Sequence, residues 1–302
     1  MNKIKIIVRE WLKKTAKIFL PSKTVVIIRQ FLQKRMAKKR LKKRKTLHFE
    51  IHLTHHCNLN CTGCSVFSSI ADEFFCDVQS IENDLKQIYK LAHGQIDSIF
   101  LQGGEPLLHP QLIEILNITR QHFSGVDISI LTNGLLLMAQ ESIFWETCRE
   151  NNIGIRMTKY PVNLPFDKIE TKAKEHNIDI IYWGKSGFVT KTMRKMPLNL
   201  SGTESIKTSF ELCYRSNSCI LLDEGKIYTC NIIPRIKWFN RQFGTKLEIS
   251  KFDYIDIYSV NSIDEIFDFL HKPVPFCRYC NMREPVYGIK WGKSKKEISE
   301  WT

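Results

Sequence analysis

Between Phe49 and Tyr182 the chain repeats one pattern: a short apolar run, then a longer stretch whose apolar residues recur every three or four positions. The short runs, Phe49 to Leu53, Ile96 to Leu101, Val126 to Leu131, Ile153 to Met157 and Ile178 to Tyr182, predict strands. The stretches between them, Ile81 to Leu91, Gln111 to His122, Gln140 to Arg149 and Phe166 to His176, predict helices, the first capped by Ser80. One more strand is expected near Phe188. Such alternation argues for parallel strands joined by crossover helices, hence an α/β sheet or barrel with its chemistry at the C-terminal strand ends. Beyond residue 200 the pattern changes. There Ile220-Leu221-Leu222 and Ile227-Tyr228 flank the turn Asp223-Glu224-Gly225 as a β-hairpin.

The first 46 residues follow another plan. Ile4, Ile7, Val8, Trp11, Ile18 and Phe19 recur at helical spacing opposite Arg9, Lys13, Lys14 and Lys17. Pro21-Ser22 then opens a second segment with Val25, Ile28, Phe31, Leu32 and Met36, which runs into Lys38 to Lys45. Neither segment is long or clean enough to span a bilayer. Of the 302 residues these 46 hold 17 Lys+Arg against one acid, Glu10, whereas the remainder holds 28 against 30. The net charge of +14 therefore belongs to the leader, and the body is close to neutral. A basic amphipathic leader suits an anionic membrane surface, a protein partner, or packing on the body; nucleic acid is the less expected partner, since charge alone does not choose. Ten cysteines without an apolar signal segment point to a reducing cytoplasm and metal ligation, with a peripheral seat on the inner membrane face open to residues 1–46.

The first candidate chemistry is Cys57-Asn58-Leu59-Asn60-Cys61-Thr62-Gly63-Cys64, directly after the first strand. One loop with this spacing can wrap three sulfurs round one face of a cubane iron–sulfur cluster and leave the fourth iron open to a small chelating molecule. Zinc, with His55 or His56 as fourth ligand, and a disulfide framework are the competing readings. After the next strand stands Gln102-Gly103-Gly104-Glu105-Pro106, then Leu131-Thr132-Asn133-Gly134, then Arg156-Met157-Thr158-Lys159-Tyr160, each at a strand end. A second group begins at Cys213 and continues eleven residues to Gly225, four more to Cys230, and later Cys277-Arg278-Tyr279-Cys280. The hairpin brings its flanking cysteines together, and the Cys-x2-Cys pair completes four ligands, enough for a closed site of either zinc or a second cluster. Cys219 is a spare that could replace Cys213, and Cys76 and Cys148 lie outside both groups.

Taken together, the Cys-x3-Cys-x2-Cys loop and the Gly-Gly-Glu-Pro turn resemble the radical S-adenosylmethionine (SAM) superfamily. The second cysteine group is similar to the twitch subdomain, a shorter relative of the SPASM domain, and the layout over residues 47 to 285 resembles aminocyclitol dehydrogenases of the butirosin type. The resemblance implies a partial (β/α)6 TIM-type barrel over 47–200 and a twitch-like subdomain over 201–290, which leaves a tail over 291–302 and the helical leader over 1–46 outside it. It implies a 4Fe-4S cluster on Cys57, Cys61 and Cys64, an auxiliary 4Fe-4S cluster on Cys213, Cys230, Cys277 and Cys280, and SAM held near Gly103, Gly104, Glu105, Pro106, Thr132, Asn133, Arg156, Thr158 and the backbone of Gly63. Family members often carry an aromatic residue where Gly63 stands. The implied activity is reductive cleavage of SAM to a 5′-deoxyadenosyl radical and hydrogen abstraction from substrate. Oxidation of an alcohol on a sugar, cyclitol or polysaccharide precursor is the first expectation, with a flavodoxin or ferredoxin as electron donor. Peptide modification, RNA modification and a non-catalytic metal-binding protein at a membrane are the alternatives. Arg194, Lys195 and Tyr160 are candidate bases, with nothing in the spacing to select one.

Overall fold

The computed structural model describes residues 46–182, 189 and 192–302. The basic leader and the strand expected near Phe188 lie outside the described residues. Five strands come first: β1 (Leu47–Thr54), β2 (Ile96–Gly103), β3 (Asp127–Thr132), β4 (Ile153–Met157) and β5 (Ile180–Tyr182). Between them run α1 (Val78–Ala92), α2 (Leu112–His122), α3 (Ser142–Glu150) and α4 (Phe166–Glu175). The five strands and four helices expected between residues 47 and 182 are present, with ends shifted by a few residues. Helix α1 starts three residues early because Asp77, not Ser80, is its cap: the Asp77 carboxylate accepts the Ser80 N–H at 2.8 Å.

The C-terminal part contains β6 (Thr192–Lys195), α5 (Ile206–Leu212), β7 (Leu221–Asp223), β8 (Lys226–Tyr228), α6 (Ile232–Phe243), β9 (Tyr254–Asp256), α7 (Ile263–Leu270) and β10 (Val286–Lys290). Strands β7 and β8 are the hairpin read from Asp223-Glu224-Gly225. The main sheet has the order β5-β4-β3-β2-β1-β7-β8-β9. Its first six strands are parallel, and β8 and β9 add an antiparallel edge. The sheet is thus an incompletely closed α/β barrel wall. Its sixth parallel strand sits beside β1, through Glu50↔Leu221 and Ile51↔Leu222, and not beside β5. A second, two-stranded sheet pairs β6 with β10.

Alternation along β1 sets the two faces. Leu47, Phe49, Ile51 and Leu53 join the large apolar core beneath the helices with Ile99, Leu101, Ile128, Ile130, Ile153 and Ile155. Glu50 and His52 project from the other face, buried yet polar. There Glu50 accepts from the Asn231 amide at 2.8 Å, and Arg235 donates to Asp223 at 3.0 Å and to His52 Nδ1 at 3.3 Å, so α6 is pinned to the strand wall by paired groups. A smaller core gathers Phe67, Ile70, Ile233, Ile236, Phe239, Phe276, Tyr279 and Trp301, with Cys230, Cys277 and Cys280 packed against it. The division between cores does not fall at residue 200, since β7, β8 and α7 contribute Leu222, Ile227, Ile263, Ile266 and Phe267 to the first.

Candidate active site and cysteine centres

The cysteine loop leaves β1 at its C-terminal end and folds over the mouth of the sheet. Cys57, Cys61 and Cys64 line a cavity of about 310 Å³ together with Gly103, Gly104, Thr132, Asn133, Arg156, Thr158 and Tyr160. Three separate strand ends therefore meet the loop around one space. Ser68, Ser69 and Asn231 form another side of that cavity. All three are buried, and Ser68 Oγ, Ser69 Oγ and Asn231 Oδ1 have no protein hydrogen-bond partner.

The glycine pair is explained by its neighbours. A Cβ on Gly103 would lie 2.3 Å from the Thr54 carbonyl oxygen, and one on Gly104 would lie 1.7 Å from that of His56. Gly104 N donates to Thr54 O at 2.9 Å and Glu105 N to His56 O at 3.1 Å, so the turn after β2 is stitched to the entry of the cysteine loop. Only residues without a side chain allow two backbones to approach this closely.

Glu105 is fully buried. Its carboxylate accepts from Thr132 Oγ1 at 2.6 Å, Asn133 N at 2.9 Å and Leu107 N at 3.2 Å, and thereby ties the β2 and β3 turns together. Burial pushes its carboxyl up to about 7 against these three donors. Pro106 opens a buried 3-10 turn, Pro106–Leu108, beside it. Asn133 braces the cysteine loop: its amide donates to Asn58 Oδ1 at 2.8 Å and approaches Cys57 Sγ at 3.6 Å.

Two residues read as cofactor contacts are otherwise engaged. Arg156 borders the cavity, but its guanidinium donates to Asp127 at 2.7 Å and Ser129 at 3.0 Å, toward the start of β3 and away from the mouth. Gly63 faces the C-terminal segment, where its N–H donates to Glu300 Oε2 at 2.8 Å. Of the three candidate bases only Tyr160 borders this cavity, and burial followed by the neighbouring thiols holds its phenol well above the usual range, hence neutral. Lys195 donates to the carbonyls of Ser299 and Thr302, and Arg194 stacks over Tyr214 at 3.4 Å.

Three cysteines on one cavity supply the ligand type that an iron–sulfur cluster takes. Burial first, then nearby acids and thiols, pushes Cys57 up to about 12; burial and Cys64 push Cys61 up to about 11. Buried thiols without a cation remain protonated, and a cationic centre is what would draw them to thiolates. N–H groups already point at the sulfurs: Leu59 N at 3.4 Å from Cys57 Sγ and Trp291 Nε1 at 3.2 Å from Cys61 Sγ. The histidines weighed as a fourth zinc ligand turn elsewhere. His55 stacks on Phe74 with ring centroids 4.1 Å apart, and His56 Nδ1 accepts the Phe74 N–H at 3.3 Å.

In the second group, burial and then Cys213 push the thiols of Cys230 and Cys277 up to about 12, and Cys219 and Cys280 are raised well above the ordinary thiol value. Cys213, Cys230, Cys277 and Cys280 thus lie within one another's field, and Cys219 within that of Cys213 and Cys230. Cys219 stands opposite Cys230 in an isolated bridge, so the spare is inside the group. Burial works against the charge of Arg215, but Tyr214, Cys219, Cys230 and Cys213 hold it protonated above its usual range. Its Nε has no partner, which leaves a cation beside the place where a negatively charged cluster would sit. Cys76 donates to His52 O at 2.8 Å, and Cys148 is a buried part of the large core.

Residues 51–151 match the model of the Radical SAM superfamily. This stretch is a radical SAM catalytic domain. Similar curated proteins include a probable GTP 3′,8-cyclase of Thermoplasma volcanium, 32% identical over 103 residues, covering 31% of this chain and 28% of the relative. The antilisterial bacteriocin subtilosin biosynthesis protein AlbA of Bacillus subtilis is 28% identical over 152 residues, covering 50% of this chain and 30% of its own. The chain thus spans less than a third of the length of these relatives. Among solved structures, BtrN in complex with AdoMet and 2-DOIA aligns at 16% identity over 78% of this chain and 93% of its own, with a TM-score of 0.49. Several residues at the site had no signal in the sequence: Asn58, Ser68, Ser69, Asn231, Trp291 and Glu300.

Proposed function

We propose that the chain is a radical SAM enzyme in which Cys57, Cys61 and Cys64 hold a cluster with one open iron and the second cysteine group holds an auxiliary cluster. When bound, the first cluster supplies the electron that cleaves SAM to the 5′-deoxyadenosyl radical, and the second accepts one. The observation that carries this reading is the convergence of the three thiols with the ends of β2, β3 and β4 on a single cavity. Residues of the chain itself hold and orient. Gly103 and Gly104 border the cavity, where their carbonyls would receive an ammonium group, Glu105 keeps the two turns in register, and Thr158 and Tyr160 border the remaining space. Cys213, Cys230, Cys277 and Cys280 form the closed ligand set, with Cys219 as a substitute for Cys213.

For the substrate, a polyhydroxylated small molecule oxidised at an alcohol is the first reading, in keeping with the polar side that Ser68, Ser69 and Asn231 give the cavity. A peptide is the second reading, supported by the alignment of AlbA, a bacteriocin biosynthesis protein, with 50% of this chain. Anaerobic iron reconstitution, reduction and addition of SAM test the common part: 5′-deoxyadenosine should appear, and a protein that binds zinc and no iron would refute it. Deuterium transfer into deoxyadenosine from labelled sugars and cyclitols, set against labelled peptides, separates the two substrate classes.

A further inference from the structure

The C-terminal segment beyond β10 returns across the chain and lies on the cysteine loop. Thr62 N donates to Gly292 O at 2.9 Å, and Ser294 N donates to Asn60 O at 2.8 Å. The Glu300 carboxylate accepts from Thr62 Oγ1 at 2.9 Å, Gly63 N at 2.8 Å and Ser294 Oγ at 2.8 Å. Trp301 Nε1 donates to the Cys64 carbonyl at 2.8 Å. A Cβ on Gly63 would meet the Glu300 carbonyl oxygen at 2.9 Å, and Gly63 has φ +55°, so the loop could not carry a side chain there while the segment is in place. Within this strap, Trp291 directs its indole N–H at Cys61 Sγ at 3.2 Å, and its ring lies against Tyr160 with centroids 5.9 Å apart.

Resting on the cluster assignment above, we propose that Trp291 is a positioning residue that sets the reduction potential of the cluster held by the cysteine loop, and that residues 291–302 are a working part of that site. Indole nitrogen is a donor only, so the contact has one sense: N–H to sulfur. A hydrogen bond to a ligating thiolate withdraws negative charge from it and favours the reduced cluster, which raises the potential. The ring contact with Tyr160 and the Glu300 and Trp301 anchors keep the indole aimed.

The test uses the full chain, reconstituted anaerobically, with redox titration followed by electron paramagnetic resonance. The signal that changes on adding SAM reports the loop cluster; a signal indifferent to SAM reports the auxiliary one. Trp291→Phe keeps a ring and removes the donor. The SAM-responsive midpoint should fall while iron content and the other signal stay as in the parent protein. An unchanged midpoint at full iron content overturns the proposal. Should Trp291→Phe take up less iron, Glu300→Ala decides through the metal-free protein: alkylation of Cys61 and Cys64, located by mass spectrometry, should accelerate severalfold relative to Cys213 and Cys230. Equal rates would overturn the strap. If the parent protein gives no SAM-responsive signal, the cluster assignment itself fails, an outcome distinct from an unmoved midpoint.

Discussion

The two cysteine groups use the same side chain in opposite settings. Cys57, Cys61 and Cys64 stand at the mouth of the sheet, on a cavity edged by three strand ends. Cys230, Cys277 and Cys280 pack against the smaller apolar core, with Arg215 among them. Thiols facing a cavity would leave room for a second molecule at a metal they held, whereas thiols packed on apolar side chains beside a buried cation would favour a site for electrons alone. The contrast teaches that access, not ligand type, would divide the labour.

The largest effect expected from breaking this contrast is at the open group. Cys61→Ala should reduce 5′-deoxyadenosine release to background while the SAM-indifferent signal persists. Cys230→Ala should do the converse: roughly half the iron is lost, as one of two clusters goes, SAM cleavage continues, and oxidised product disappears. A variant that loses cleavage as fully as Cys61→Ala would mean that the two groups are not separable.

Smaller effects sharpen the architecture between them. Gly104→Ala forces a Cβ against the His56 carbonyl oxygen, and thermal unfolding should show a loss of about 2–4 kcal/mol, as for other strained or overpacked sites. Glu105 gives a pH signature in the metal-free protein. Its carboxyl is raised from 4.5 to about 7, so between those values the folded form keeps a proton that the unfolded chain has released. Stability should therefore be higher at low pH and fall as pH rises through that window, by at most about 3 kcal/mol, and Glu105→Gln should flatten the slope. A slope that survives the substitution would assign it to another group. The smallest effect is expected from Arg156→Lys, which keeps a charge but loses the forked contact with Asp127 and Ser129: KM for SAM should change by less than about tenfold, because the guanidinium is directed away from the mouth.

Much of this arrangement is legible in the sequence, because it follows from local periodicity and short motifs. The strand and helix alternation gives β1 to β5, the cysteine spacing gives the loop, and Gly103-Gly104 stands where two backbones touch. What escapes is long-range. Glu300 and Gly63 meet across more than two hundred residues, and no local pattern announces such a contact. Arg156 reads as a cofactor cation because it sits near a strand end, yet the neighbouring strand supplies Asp127 and Ser129 as nearer partners. Ser80 reads as a cap because it precedes the apolar spacing, but Val78 extends that spacing one turn earlier and Asp77 takes the role. The place of β7 beside β1 is equally hidden, since a three-residue strand carries no pairing information of its own.

That last pairing has a mechanical consequence. Strand β1 leads into the cysteine loop, and β7, hydrogen-bonded to it at Glu50↔Leu221 and Ile51↔Leu222, leads through the hairpin to Cys230. The start of the cysteine loop and the hairpin that ends at Cys230 thus hang from one short ladder of backbone bonds, so a displacement of either strand would be felt at both cysteine groups.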